Sequence, residues 1–196
     1  MDSTKKDIRG LSRTEIEDFL AGIGEKKFRA TQIYEWVWKK GAASFDEMSN
    51  ISKPLRDKLA QNFMFANVKC VYSVASVDGT NKFLFETCDG CKFEGVLIPS
   101  ADRVTSCIST QIGCQMGCAF CATGQLGFKR NLTAGEIFHQ VFSLNRLSNE
   151  IFGTPLSNIV IMGMGEPLMN YENTLAAIEK ICSDEAMGMS PQRITM

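Results

Sequence analysis

The apolar period of this chain changes twice, which limits it to a mixed α/β architecture assembled in three stretches. From about residue 8 to 65 the spacing is helical. Ser12-Arg-Thr-Glu15 is a capping box ahead of Ile16, Phe19, Leu20 and Ile23, with Gly22 and Gly24 as stop signals. Ile33 and Val37 continue the pattern up to Gly41, and Ser52 with Pro54 opens a helix that carries Leu55, Leu59 and Phe63 on one face. From about 68 to 110 the period becomes that of strands, over 68–77, 82–87, 92–98 and 103–109. Asp78-Gly79 and Asp89-Gly90 turns punctuate them, so antiparallel hairpins are expected.

The third stretch alternates strands with helices. A second capping box, Thr133-Ala-Gly-Glu136, starts a helix with Ile137, Val141 and Leu144 along one side. An apolar strand over 158–162 follows, then a helix around Leu175, Ile178 and Ile181, then a new strand at 193–196. This rhythm is that of a parallel β/α barrel, whose functional loops lie at the carboxyl ends of the strands. The expected organisation is a helical accessory domain over 1–66, an antiparallel β extension over 67–110 and the first part of a barrel over 111–196. Two completed β/α units cannot close a barrel or cover a parallel edge, so a carboxy-terminally truncated piece with incomplete catalytic equipment is expected.

Cys114, Cys118 and Cys121 stand as C-x3-C-x2-C in a glycine-flanked run from Gly113 to Gly124. Three thiolates on one short loop hold three irons of a [4Fe-4S] cluster and leave the fourth open to a ligand. Zinc would need a fourth protein ligand, and the single histidine, His139, lies in a separate helical pattern. Cys88 and Cys91 flank the second hairpin turn as C-x2-C, half a zinc site at most. Cys70 in a strand and Cys182 in a helix read as small buried hydrophobes.

Eight cysteines suit metal and redox chemistry in a reducing compartment better than a disulfide scaffold. No apolar run is long enough to span a bilayer, and residues 1–6 lead into no signal-like stretch, so the expectation is a cytoplasmic protein with no membrane contact. A net charge of -1 gives no global attraction to nucleic acid. Lys26, Lys27, Arg29, Lys39 and Lys40, set against Glu25 and Glu35, form either a solvated helix face or a local RNA-phosphate patch.

The cysteine triad resembles that of the radical S-adenosylmethionine (SAM) enzymes. With Ser106-Cys-Ile-Ser-Thr-Gln-Ile-Gly-Cys114, Phe120-Cys-Ala-Thr-Gly124 and Met162-Gly-Met-Gly-Glu-Pro-Leu-Met-Asn170, the chain is similar to the RlmN/Cfr family of RNA methyltransferases along essentially its whole length. That resemblance implies a fold consisting of a partial radical-SAM (β/α) barrel, preceded by a β-hairpin region and a small all-α amino-terminal domain. It implies a [4Fe-4S] cluster on Cys114, Cys118 and Cys121, whose open iron chelates S-adenosyl-L-methionine, and Gly165 with Glu166 as contacts to the cofactor's amino group. Reductive cleavage of the sulfonium would give a 5′-deoxyadenosyl radical, a reactivity the family needs because the adenine carbon resists ordinary methyl-cation transfer.

Residue by residue, Glu94 matches the proton acceptor. Cys107 matches the cysteine that resolves a protein–RNA adduct through a disulfide with a second, methyl-carrying cysteine; no counterpart of that second cysteine precedes Met196. By resemblance the substrates are adenosines of 23S rRNA and tRNA, methylated at carbon two, with a flavodoxin-like external electron donor and a monomeric enzyme. The bland alternatives are a buried strand cysteine at 107, a solvent-facing strand glutamate at 94 and a plain strand-ending turn at Gly165-Glu166-Pro167. Other functions left open are carbon-eight methylation as in Cfr, a different radical enzyme such as an activase, and a non-catalytic iron-sulfur or RNA-binding module.

Overall fold

The computed structural model describes residues 5–196 and divides them into two compact units. Residues 1–4, part of the segment inspected for a leader, lie outside that description.

The first unit runs through Ala66 and includes Lys180–Gly188. It contains β1 (Lys6–Asp7), α1 (Arg13–Gly22), α2 (Phe28–Tyr34) with a π-helical continuation over Glu35–Lys39, α3 (Lys53–Asn62) and β2 (Phe63–Met64). The capping box forms: the Ser12 hydroxyl accepts from the Glu15 N–H, and the Glu15 carboxylate accepts from the Ser12 N–H at 2.7 Å. Ile16, Leu20, Ile33, Val37, Leu55 and Leu59 bury their side chains together with Trp38.

The unit is not purely helical, because β1 and β2 pair in parallel. Asp7 clasps the two ends of the segment, accepting from the N–H groups of Arg9 (3.1 Å) and Ala66 (3.2 Å). Arg9 donates to the Ala42 carbonyl at 3.0 Å and lies over the Phe65 ring. Two-residue strands carry no readable period, so tertiary clasping decides them. Lys180 sits over the rings of Tyr34 and Trp38 and donates to the Tyr34 hydroxyl.

The second unit comprises Asn67–Glu179 and Met189–Met196. Its strands are β3 (Lys69–Ala75), β4 (Asn81–Glu86), β5 (Lys92–Ser100), β6 (Arg103–Cys107), β7 (Gln111–Gly113), β8 (Phe128–Asn131), β9 (Asn158–Val160) and β10 (Ile194–Thr195). Its helices are the short α4 (Ala122–Gln125), α5 (Ala134–Phe152) and α6 (Tyr171–Cys182), whose last turn groups with the first unit. Six strands form one open mixed sheet in the order β10-β9-β6-β5-β4-β3. The β3 to β6 segment is an antiparallel meander, and β6, β9 and β10 are parallel neighbours reached through helices. No closed barrel exists among the described residues.

The Asp89-Gly90 turn sets the register. Gly90 adopts φ +78° and donates to the Thr87 carbonyl, which pairs Glu86 with Lys92 and every second residue onward. One face therefore collects Phe83, Phe85, Phe93, Leu97 and Val104, which are buried, with the rings of Phe85 and Phe93 stacked at 5.6 Å. Helix α5 covers it with Ile137, Phe138, Val141 and Leu144. Gly95 permits the approach, since a Cβ there would sit 2.9 Å from Phe85 and 3.2 Å from Leu144. His139 is buried in α5 and accepts from the Val68 N–H through Nδ1. The expectation that Cys70 is buried is wrong: β3 is the edge strand and all of it is exposed. Cys182 is half-buried.

Candidate functional site

Cross-strand partners share a sheet face, and the opposite face is left open by α5. The register places Leu84 opposite Glu94, Lys82 opposite Val96, and Val96 opposite Cys107, which pairs in turn with Val160 of β9. Glu94, Cys107 and Lys82 thus project from the same open face, with Glu94 and Cys107 diagonal neighbours on adjacent strands. Lys82 forms an ion pair with Glu94 at 3.0 Å. The residue reading missed Lys82, though counting back from the Asp89-Gly90 turn would have found it.

Cys107 is half-buried at the carboxyl end of β6. Burial pushes its thiol above the ordinary cysteine value, partly offset by a hydrogen bond with the Met162 backbone. The shift favours the thiol over the thiolate.

Beyond β6 the chain enters β7, which pairs with β8 in a small antiparallel ladder. This pair closes the base of the cysteine loop, and the Cys114 N–H donates to the Gly127 carbonyl at 3.2 Å. Cys118 is exposed and Cys114 and Cys121 are half-buried. Cys121 immediately precedes α4, and hydrogen bonds from the Gly124 and Thr123 backbone and the Thr123 side chain draw its thiol below the ordinary value. Glycines at 113, 117 and 127 take positive φ and allow the loop to turn back on itself.

No group of three or more His, Cys, Asp or Glu side chains among the described residues is gathered around a metal position. The donor set nonetheless fits a cluster with one open iron: three thiols on one loop, one of them shifted toward thiolate, with no histidine nearby. The loop's side chains have to draw together as such a cluster assembles. Among the described residues no two cysteines are joined in a disulfide.

The Gly163–Glu166 turn follows β9 and packs against the segment leading into the cysteine loop. The Gly163 N–H donates to the Ile108 carbonyl (2.9 Å), and the N–H groups of Thr110 and Gln111 donate to the Met164 carbonyl (2.9 and 3.2 Å). A Cβ on Gly163 would lie 2.7 Å from the Ile108 oxygen, and one on Gly165, at φ +97°, only 2.5 Å from Gln111 Cβ. The glycines of this motif are thus required first by backbone packing against residues 108–111. The resemblance implied cofactor contact at Gly165; in the structure the missing side chain there makes room for Gln111. Glu166 holds the turn through its own carboxylate, which accepts from the Leu168 N–H at 3.2 Å. A cleft of about 330 Å³ opens beside it, lined by residues of 161–168 and Met196.

Buried amides and a hydroxyl lock these pieces together. Ser109 donates through Oγ to the Glu94 carbonyl (2.6 Å), accepts there from the Met164 N–H (2.8 Å), and exchanges two backbone bonds with the Gln140 amide. Gln111 accepts from the Glu166 N–H (2.9 Å) and donates to Asn131 of β8 (2.8 Å). Asn170 donates to the carbonyls of Thr110 and Leu132, both at 2.8 Å. Every one is a side chain that would be costly to bury unpaired. Ser109 and Gln111 lie between Cys107 and Cys114 in the Ser106–Cys114 motif.

Residues 6–65 match the family described as the ribosomal RNA large subunit methyltransferase N-terminal domain. The chain is 50% identical over 196 residues to a probable dual-specificity RNA methyltransferase RlmN of Flavobacterium psychrophilum, covering 100% of this chain and 56% of that protein. It is 43% identical to a dual-specificity RNA methyltransferase RlmN of Saccharophagus degradans, covering 98% of this chain and 49% of that one. The crystal structure of a radical SAM methyltransferase from Sphaerobacter thermophilus superposes with a TM-score of 0.86 at 42% identity, over 96% of this chain and 55% of that chain. The chain spans about half the length of the curated relatives it matches.

Proposed function

We propose that the chain belongs to the RlmN family of RNA methyltransferases over the portion it spans, and that it supplies the cluster loop, cofactor turn and open catalytic face of a radical-SAM enzyme. The proposed reaction is methylation of carbon two of adenosine in 23S rRNA and tRNA. In this reading β6, β9, β10 and their helices are the opening segment of a radical-SAM barrel, and the unit ending at Ala66 is the RNA-facing accessory domain. A flavodoxin-like donor, a monomeric state and a cytoplasmic location complete the proposal; no helix among the described residues is long and apolar enough to cross a membrane.

The observation that carries the reading is convergence. Glu94 and Cys107 share one open sheet face, and the Gly165–Glu166 turn is bonded to Gln111 of β7, the strand that leads into the cysteine loop. Cys114, Cys118 and Cys121 would hold the cluster, and Gly165 and Glu166 would receive the amino group of S-adenosylmethionine. When bound, cluster and cofactor supply one-electron cleavage of a sulfonium, a source of carbon radicals. Glu94 accepts a proton as a carboxylate oriented by Lys82. Cys107 supplies the thiol that frees the product; its proton must leave first, because burial favours the neutral form.

The test is anaerobic reconstitution of the chain with iron and sulfide, followed by electron paramagnetic resonance of the reduced cluster with and without S-adenosylmethionine. The expected result is a four-iron cluster whose spectrum changes on cofactor addition and is lost in the triple alanine variant at 114, 118 and 121. A cluster indifferent to the cofactor would remove the reading and favour a non-catalytic iron-sulfur module.

A further inference from the structure

Arg130 of β8 uses all five of its N–H donors. Nε and Nη2 reach the two oxygens of Asp89 at 2.7 and 3.0 Å, Nη1 and Nη2 reach those of Glu136 at 2.8 and 2.9 Å, and Nη1 also reaches the Asn131 carbonyl at 3.0 Å. Glu136 is buried and also accepts from the Thr133 N–H, closing the capping box of α5. Asp89 is the turn residue of Cys88-Asp-Gly-Cys91, where it is further bonded to Thr87. One guanidinium therefore ties together the β4–β5 turn, the amino end of α5 and the strand that closes the cysteine loop. A lysine, with a single nitrogen and no planar fork, cannot span both carboxylates in this way.

The opposite strand of the loop's base is tied separately. β7 is held through Gln111 to the Glu166 N–H, and the two strands pair as Gln111 with Asn131, Ile112 with Arg130 and Gly113 with Phe128. The run from Cys114 to Gly127, most of it exposed, is thus a loop with both ends fixed, one by Gln111 and the other by Arg130. Gathering three thiols around a metal costs conformational freedom, and fixing the ends beforehand removes part of that cost.

We propose that Arg130, with Asp89 and Glu136, is a positioning residue that pre-organises the cysteine loop for cluster assembly. This rests on the cluster-binding reading above and goes beyond it in assigning a role to residues that do not touch the metal. The charges support the geometry: the Arg130 guanidinium holds the Asp89 carboxyl well below the usual carboxylate range, and the two carboxylates raise the arginine in return. The triad is mutually neutralising to within one charge, so it anchors a hairpin without attracting a ligand of its own.

The experiment compares wild type with Arg130→Lys and Asp89→Asn, and with Lys180→Met as a stability control in the other unit. Two quantities are read: amide exchange of the β7–β8 ladder in the metal-free chain, and the iron and sulfide needed for half-maximal cluster absorbance. Both hairpin variants should exchange the ladder amides about tenfold faster, as loss of roughly 1.4 kcal/mol of local stability requires, with the β4–β5 ladder unchanged beyond its turn. They should also need several-fold more iron, whereas Lys180→Met should load as wild type does even at an equal loss in melting temperature. Unchanged ladder exchange in a folded Asp89→Asn chain would overturn the proposal, as would equal loading of all four proteins. Should Arg130→Lys not fold, Asp89→Asn decides alone, because it retains the Glu136 pair. A wild-type chain that takes up no cluster would instead sink the cluster reading, and the exchange measurement would still judge the anchor.

Discussion

An alanine placed at Gly113 should uncouple the cysteine loop from its base, and one at Gly117 should not. Both glycines have positive φ, +76° and +61°, so either substitution carries about 1–2 kcal/mol of left-handed strain. Their surroundings differ. A Cβ at Gly117 would meet nothing within 4 Å, whereas at Gly113 it would lie 1.7 Å from the Gly127 oxygen, a backbone atom that cannot rotate away. The ladder must then open, which breaks the bond from the Cys114 N–H to the Gly127 carbonyl at 3.2 Å. That loss contributes about 1 kcal/mol net and the overpacking about 1–3, for a total near 3–6 kcal/mol at Gly113 including strain. Against a typical domain stability of about 5–15 kcal/mol, this is a large part of what holds the unit folded. Trp36 and Trp38 are the chain's two tryptophans and both lie in the first unit, so their fluorescence is blind to the hairpin. Far-UV circular dichroism in urea and amide exchange at 111–113 and 128–131 are the appropriate measurements. Equal destabilisation by the two alanines would refute the argument, because it would mean that strain alone matters and the 1.7 Å approach does not.

Three further outcomes follow from the same contacts. Asp89 has a folded-state pKa depressed by its hydrogen bonds to Arg130, so its contribution is present above the unfolded carboxylate value and is lost as pH falls through the folded one; Asp89→Asn should flatten acid unfolding over that window in denaturant titrations at stepped pH. Cys107, raised by burial, should be alkylated with a pH midpoint above that of an ordinary thiol when the other cysteines are replaced by serine, and a midpoint at or below the ordinary value would contradict its half-buried setting. Phe85→Ala should cost about 3–5 kcal/mol by removing a fully buried ring stacked on Phe93, and a loss under about 1 kcal/mol in urea titration would mean that the sheet face under α5 is not packed as described.

Much of the candidate site is legible in the sequence alone. The spacing of Cys114, Cys118 and Cys121 needs no fold to suggest a metal loop, since the three residues are close in sequence and therefore close in space. The capping boxes at Ser12 and Thr133 are likewise local and formed as read. Cys70 shows the limit: its apolar, strand-like neighbours are compatible with either a central or an edge strand, and only the sheet order reveals that β3 lies outermost. Gly165 shows another, because a glycine with positive φ could be making room for a ligand or for Gln111, and sequence separation hides which. The β7–β8 ladder was missed altogether, as three- and four-residue strands are too short to display a period.

By itself, the sequence determined what depends on neighbours along the chain: which of the longer segments are helix or strand, where the hairpin turns fall, and which loop carries the thiols. Only the tertiary structure decided what depends on residues far apart. It put Glu94, Lys82 and Cys107 on one face, set the Gly165–Glu166 turn against Gln111, and joined Asp89, Arg130 and Glu136 at a single guanidinium. The physical reason is that polar side chains such as these have many possible partners in the unfolded chain, and only the folded backbone decides which of them come within reach.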